Sequence, residues 1–450
     1  MNQQQGITEA GTLDTTFGVG GAVGLPFEGT RGNSPATTLE VADGKLLIVE
    51  DPQFSPTAVL RRLNTDGTLD DTFGNGGSVD IRFDEDERFS LPVLRSHPAG
   101  GWILTGQLLG GSNGFVAVVR QFEDGTLDDT FGDNGILRVD TQQLVYLVTQ
   151  APAGSLAKRS GDPKPQQRSG TSGSGALSCE VMPDGKILLI DVVSSFPIVQ
   201  QGILVRLNPN GSLDKSFNGK GFTLIGLDGI DHQSSGVKAL AVQKDAKILV
   251  TGTFKLRDGD AVSEVYVTRY MENGQLDRGF ANEGIATIAL TAGPGWNSVN
   301  AIAVRESNDA IAIVGELFRE RLFRGWVAVL NANGSPNLVF NDGKTLYSAM
   351  LPKGEYWQYC AWPTNSALLV AGSAADGPEA PIPPILIARY QADGRLDASF
   401  NKTGWAVYNN PEGSPTLSDG LVMQNSKIVV CGEVSQPTGP YKGYILRYNS

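Results

Sequence analysis

Short runs of aliphatic and β-branched residues alternate with Asp/Asn/Gly turns along almost the whole chain, and no stretch sustains the period of a long helix. The clearest units are Val41-Ala42-Asp43-Gly44-Lys45-Leu46-Leu47-Ile48-Val49 and Val181-Met182-Pro183-Asp184-Gly185-Lys186-Ile187-Leu188-Leu189. Each reads as two strands joined by a tight turn. Weaker copies run from Val242 to Gly252, Val304 to Gly315, Ala361 to Gly372 and Val422 to Gly432, with His97 to Gly106 the loosest. A third strand follows each pair, as in Leu204-Val205-Arg206-Leu207 and Ile387-Ala388-Arg389-Tyr390, and a fourth follows that, as in Gly284-Ile285-Ala286-Thr287-Ile288.

Between the third and fourth strands an eight-residue tract returns. It is GTLDTTFG at Gly11, GTLDDTFG at Gly67 and Gly125, GSLDKSFN at Gly211, GQLDRGFA at Gly274, GSPNLVFN at Gly334 and GRLDASFN at Gly394. Self-similarity at a long period marks a fold in which each unit buries its apolar face only against its neighbours. Four antiparallel strands in each of seven units predict an all-β, seven-bladed β-propeller spanning residues 1–450 as one domain. Asp14, Asp70, Asp128, Asp214, Asp277, Asn337 and Asp397 are spaced by 56, 58, 86, 63, 60 and 60 residues. The excess in the third interval falls in 151–175, a Ser/Gly/Pro/Lys/Gln stretch that reads as a flexible inserted loop. The chain closes on a third strand at Tyr444 to Tyr448 and opens on an LDxxF tract, so the N-terminal strand at about Gly21 to Leu25 is expected to complete the last blade.

Within LDxxF, Leu13 and Phe17 lie four apart, so one helical turn is expected to bring both to the gap between sheets. Asp14 is placed to cap the turn's free N–H groups, and a glycine seven residues on, such as Gly21 or Gly77, lets the backbone turn into the next strand. The copy with Pro336, Asn337 and Lys344 departs from this pattern and predicts a distorted blade.

The G-x-L-D-x-x-F tract, the D-G-K-I-L turn and the V-x-R-L/Y-N strand together resemble the bacterial delta-60 repeat family of β-propellers over nearly the whole chain. The resemblance implies a propeller in a bacterial, often surface-associated or secreted setting. It implies no catalytic residues.

A formal charge of −12 lacks the clustered basic footprint of a phosphate-backbone binder, so nucleic acid is not an expected partner. Cys179, Cys360 and Cys431 stand far apart without a CxxC pair and read as buried free thiols. The N-terminal segment has neither a basic n-region nor an apolar h-region, and no uncharged apolar run is long enough to span a bilayer. A soluble monomer is expected, cytoplasmic or exported by a leaderless route.

A feature repeated around a ring is architecture, so candidate site residues are sought in connections that break the symmetry. These are the acidic run at Asp84 and Asp86, the aromatic segments with Trp296, Asn297, Tyr356, Trp357 and Tyr359, the basic apolar hairpin with Arg319 and Arg321, and the Asp231-His232 pair. All map to the end of the ring that carries the second-to-third-strand hairpins and the blade-to-blade connections. Trp and Tyr there offer apolar area with a polar edge, suited to a sugar ring or a protein anchor. The two histidines, His97 and His232, lack any G-x-S-x-G or HExxH context. The Asp-rich turns lack the D-x-[DN]-x-[DN]-G spacing of a Ca2+ loop, so no cofactor is expected; the remaining route to a cation is oxygens from several blades meeting at the channel. The expected function is a non-enzymatic scaffold that binds a protein or glycan through this end. The alternative is a lactonase-like propeller hydrolase using channel carboxylates and a divalent cation.

Overall fold

The computed structural model describes residues 9–27, 35–50, 56–110, 113–149, 178–195, 199–257, 263–291, 293–363, 367–374, 384–409, 415–434 and 442–450. They form seven four-stranded antiparallel sheets arranged as the blades of a propeller. The inner strands, in blade order, are Pro35–Glu40, Arg88–Ser96, Cys179–Val181, His232–Val242, Gly295–Val304, Glu355–Ala361 and Pro415–Gln424. Blade seven takes its outer strand, Ala22–Leu25, from the N-terminal segment, which pairs with Lys442–Tyr448 from Ala22↔Leu446 to Leu25↔Gly443. The closure read from the sequence is therefore the one observed. The segment 151–175 lies outside the described residues. Just before it a nine-residue helix, Thr141–Thr149, which strand periodicity did not announce, packs Val145 into the core of blades two and three.

The LDxxF tract works differently from the helical-turn reading. Its phenylalanines, including Phe17, Phe73, Phe217 and Phe400, are fully buried, whereas the leucine bridges back to the third strand (Leu213↔Leu207) and stays partly exposed, to 38 % at Leu127. The phenylalanine alone plugs the junction between blades. The glycine that opens the next tract meets it: a Cβ on Gly274, whose φ is +84°, would lie 2.9 Å from Phe217 Cε2. On its other side the ring carries a guanidinium, Arg206 Cζ standing 4.6 Å from the Phe217 centroid.

That arginine is the partner of the repeat aspartate. Arg62, Arg206, Arg269, Arg389 and Arg447 each place Nε 2.6–2.9 Å from the aspartate eight residues on or, for Arg447, from Asp14. The second carboxylate oxygen accepts from the turn as foreseen, for example from Ser216 N at 3.0 Å and Ser216 Oγ at 2.6 Å. Arg206 also donates to Glu272 O of the next blade, so one cation ties the aspartate, the plug and the neighbouring sheet together. In blade two Arg120 instead donates to the carbonyls of Gly100, Trp102 and Gln121. Blade five has Val329 in place of the arginine and Asn337 in place of the aspartate, and its outer strand shrinks to Leu346–Tyr347. The distortion expected there is present.

Candidate ligand-binding site

The inner strands do not run regularly. In blades four, five and six the pairing with the second strand slips by one residue, between Val237 and Ala239, Val299 and Ala301, and Trp357 and Tyr359. Such bulges re-aim side chains and bend the strand. A glycine on the second strand makes room for each: a Cβ on Gly252, Gly315 or Gly372 would come within 1.9–2.0 Å of an inner-strand carbonyl oxygen. The extra residues are Lys238, Asn300 and Gln358, all polar, whereas the matching irregularities in blades one and two hold Ala36 and Leu91-Pro92, and that in blade seven widens to Ser418-Asp419-Gly420. The symmetry of the ring breaks on one arc.

Blade five builds two rows on the face it turns toward blade six. At its loop end Trp296, Phe318 and Phe323 are cross-strand neighbours. Trp296 stacks on Phe318 with centroids 6.1 Å apart and planes 21° apart, Phe323 meets it edge-on at 5.6 Å, and Tyr356 of blade six continues the ladder at 5.9 Å from Phe323. One indole face is thus occupied while the side chain remains 40 % exposed. Arg319 fixes the strand beneath it, donating to the carbonyls of Trp296 and Phe318 and, at 2.7 Å, to Asn297 Oδ1. Asn297 in turn donates to Ser263 O at 2.8 Å.

One strand-step inward the row is polar: Ser298 faces Glu316, which faces Gly325. Ser298 Oγ donates to Asn300 Oδ1 at 3.0 Å, and Asn300 Nδ2 donates to Trp357 O at 2.8 Å. Burial pushes the Glu316 carboxyl up to about 7, while the Lys238 charge and a hydrogen bond with Asn300 pull the other way. Burial likewise raises the Tyr356 phenol; a hydrogen bond with Ser373 opposes this and the Glu316 charge adds to it.

The sequence candidates divide. Trp296, Asn297, Arg319 and Tyr356 come together here. Trp357 does not reach the surface: it is fully buried, with its Cδ1 and Nε1 filling the space a Cβ on Gly325 would take, because Glu355 to Ala361 is an inner strand and not a loop. Tyr359 lies past the bulge and packs against the core of blades six and seven. Arg321 sits with Glu320 at the tip of a hairpin, both at positive φ, as a two-residue I′ turn demands. Asp84 and Asp86 belong to a connection between blades one and two. There the organising group is Glu87, which accepts from Asp84 N and pairs with Arg138 at 2.8 Å, leaving Asp84 largely exposed. Asp231 pairs with Arg257 at 2.9 Å in solvent, and His232 Nδ1 bonds Ile230 O at 2.8 Å, so the histidine is not oriented by the carboxylate beside it.

Sequence reasoning missed Lys238, Asn300, Gln358 and Glu316. A signal existed, since the glycine ending each second apolar run (Gly252, Gly315, Gly372) recurs because of the bulge opposite it. None of the three cysteines forms a disulfide; Cys179 and Cys431 are buried, and burial pushes the Cys179 and Cys360 thiols up to about 12. Among the described residues no helix is long and apolar enough to cross a membrane.

The fold is a seven-bladed β-propeller whose blades four to six carry a polar and aromatic arc on their inner strands. Three segments, residues 42–73, 183–217 and 243–280, each from the first hairpin turn to the repeat phenylalanine, match a profile described as "Domain of unknown function (DUF5122) beta-propeller", which supports a β-propeller repeat family. No curated protein matches the chain. Among solved structures the chain is similar to polysaccharide lyase Uly1, at 11% identity and TM-score 0.49 with 94% of each chain covered. It is also similar to the extracellular domains 1-2 of Drosophila Semaphorin 1b, at 11% identity and TM-score 0.42, covering 93% of this chain and 87% of that one. For prolyl oligopeptidase B from Galerina marginata the identity is 9% and the TM-score 0.46, covering 95% of this chain and 51% of that one.

Proposed function

We propose that this propeller is a binding module that takes its ligand at the loop end of blades five and six, without chemical turnover. The observation that carries the reading is the Trp296 indole: 40 % exposed, packed against Phe318 and Phe323, and carried on a strand that Arg319 of the neighbouring strand fixes through Trp296 O and Asn297 Oδ1. A rigid, pre-organised aromatic surface loses little entropy on binding, which is the property of a hot spot. The repeated aspartates are tied into turn N–H groups and, in five blades, into arginine pairs, and have no such role. Trp296→Ala is expected to abolish retention of ligand by the immobilised protein, measured on oligosaccharide and peptide arrays, while Asp70→Ala retains it; equal binding by the Trp296 variant would refute the assignment.

A second reading is favoured by the setting of Glu316, a carboxyl that faces Ser298 in the polar row and that burial pushes up to about 7. Such a group is suited to general acid chemistry. Hydrolysis of a panel of lactones and chromogenic esters that disappears in Glu316→Gln would establish it over simple binding.

A further inference from the structure

The chemistry of the ligand follows from how the two rows of blade five are combined. The indole is 40 % exposed with Phe318 and Phe323 packed against it, and a flat ring so presented packs against the C–H face of a pyranose ring. About 7 Å inward along the strands, Ser298, Asn300, Lys238 and Glu316 gather donors and acceptors within one small area. Hydroxyl groups, each both donor and acceptor, match such a mixed set, whereas an anchor made of apolar side chains does not.

Among the described residues the surroundings offer a protein partner one small aromatic patch, formed by Trp296, Phe318, Phe323 and Tyr356. A stable protein interface needs roughly 800 Å² on each side with a contiguous apolar centre. Among the described residues the large apolar side chains exposed at the loop end are Trp296, Leu109, Leu256 and Tyr146, spread over blades five, two and four and the helix after blade two.

We propose that the ligand is a carbohydrate chain, one ring of which stacks on the exposed part of the Trp296 indole while its hydroxyl groups reach the Ser298, Asn300 and Glu316 row. This rests on the reading of blades five and six as the binding site. The test is to probe an array of defined neutral and uronic-acid-containing oligosaccharides, and in parallel an array of overlapping peptides, with wild type, Trp296→Ala and Ser298→Ala. Array hits are then titrated by calorimetry, with near-ultraviolet circular dichroism to verify the fold. Oligosaccharide binding that falls at least 30-fold in Trp296→Ala and several-fold in Ser298→Ala is the expected result. Binding to peptides alone, lost in Trp296→Ala, would overturn the carbohydrate assignment and leave the site standing. Oligosaccharide binding unchanged in both variants would overturn the site itself, and silence on both arrays would overturn both.

Discussion

Transplanting the blade-five arrangement into blade three tests how the repeat holds the ring together. Asp214 and Arg206 are 5 % and 2 % exposed and 2.8 Å apart. Asp214→Ala leaves the guanidinium buried with its carboxylate gone, a loss on the order of 3–5 kcal/mol for a broken buried pair. Arg206 keeps its bonds to Glu272 O and Ser216 Oγ, which places the expected cost near the lower figure, about 3 kcal/mol. In blade five the pair is absent: Val329 replaces the arginine, and Asn337 accepts from Val339 N at 3.0 Å and donates to Asn331 Oδ1 at 3.0 Å. The double change Arg206→Val with Asp214→Asn therefore removes the charge and keeps the turn, and is expected to cost less than half as much as Asp214→Ala. Guanidinium unfolding followed by fluorescence gives both values. The acid limb gives a second reading. Burial alone would raise the Asp214 pKa, but bonds from Ser216 and the charges of Arg206 and Lys186 hold it below the ordinary carboxylate value. Its contribution is thus present above the ordinary aspartate pKa and is lost as pH falls below it. The double variant should show a shallower loss there than wild type. A single variant that costs under about 1 kcal/mol, or a double variant no better than the single, would show that the arginine pair is not the clamp described here.

Three further outcomes follow from the same contacts. Deleting residues 1–27 removes the outer strand of blade seven and should lower the thermal midpoint or cause aggregation; an unchanged midpoint would contradict closure. Gly315→Ala drives a Cβ to within 2.0 Å of Ser298 O, so it should distort the bulge and weaken both thermal stability and ligand binding, whereas Gly20→Ala, with nothing within 4 Å of its Cβ, should leave binding untouched. Glu316 has a folded pKa raised from 4.5 to about 7, so its contribution is fully present below its unfolded value and is lost as pH rises through about 7. Wild type should lose on the order of 3 kcal/mol between pH 5 and pH 8 relative to Glu316→Gln, and parallel denaturation curves for the two proteins would refute that burial.

The architecture was legible because it is written seven times. Tight Asp-Gly turns, short apolar runs and the LDxxF tract specify a blade locally, and the orphan strands at Ala22 and Tyr444 specify the closure. The site was legible only where a residue type speaks for itself, as with Trp296 in its Gly/Asn-flanked segment. Trp357 and Tyr359 were misplaced because a strand read as a loop loses its alternation. The arginine partners stand in the third strands of five blades, yet a pair eight residues apart around a turn has no periodic signature. Glu316 looked like one more polar position in an apolar run; its character comes from burial at the blade junction, opposed by Lys238 a blade away and Asn300 on the neighbouring strand.

The most direct test of the account is to locate the bound ligand. Hydroxyl-radical footprinting with mass spectrometry, run with and without the oligosaccharide that binds best on the array, reports the accessibility of each exposed aromatic and aliphatic side chain. The account predicts protection of Trp296, Phe318 and Tyr356, with Val19, Leu338 and Val339, exposed at the opposite end of the ring, labelled equally in both states. Protection at Val19, Leu338 and Val339 with Trp296 still fully labelled would place the ligand on that opposite end and contradict it.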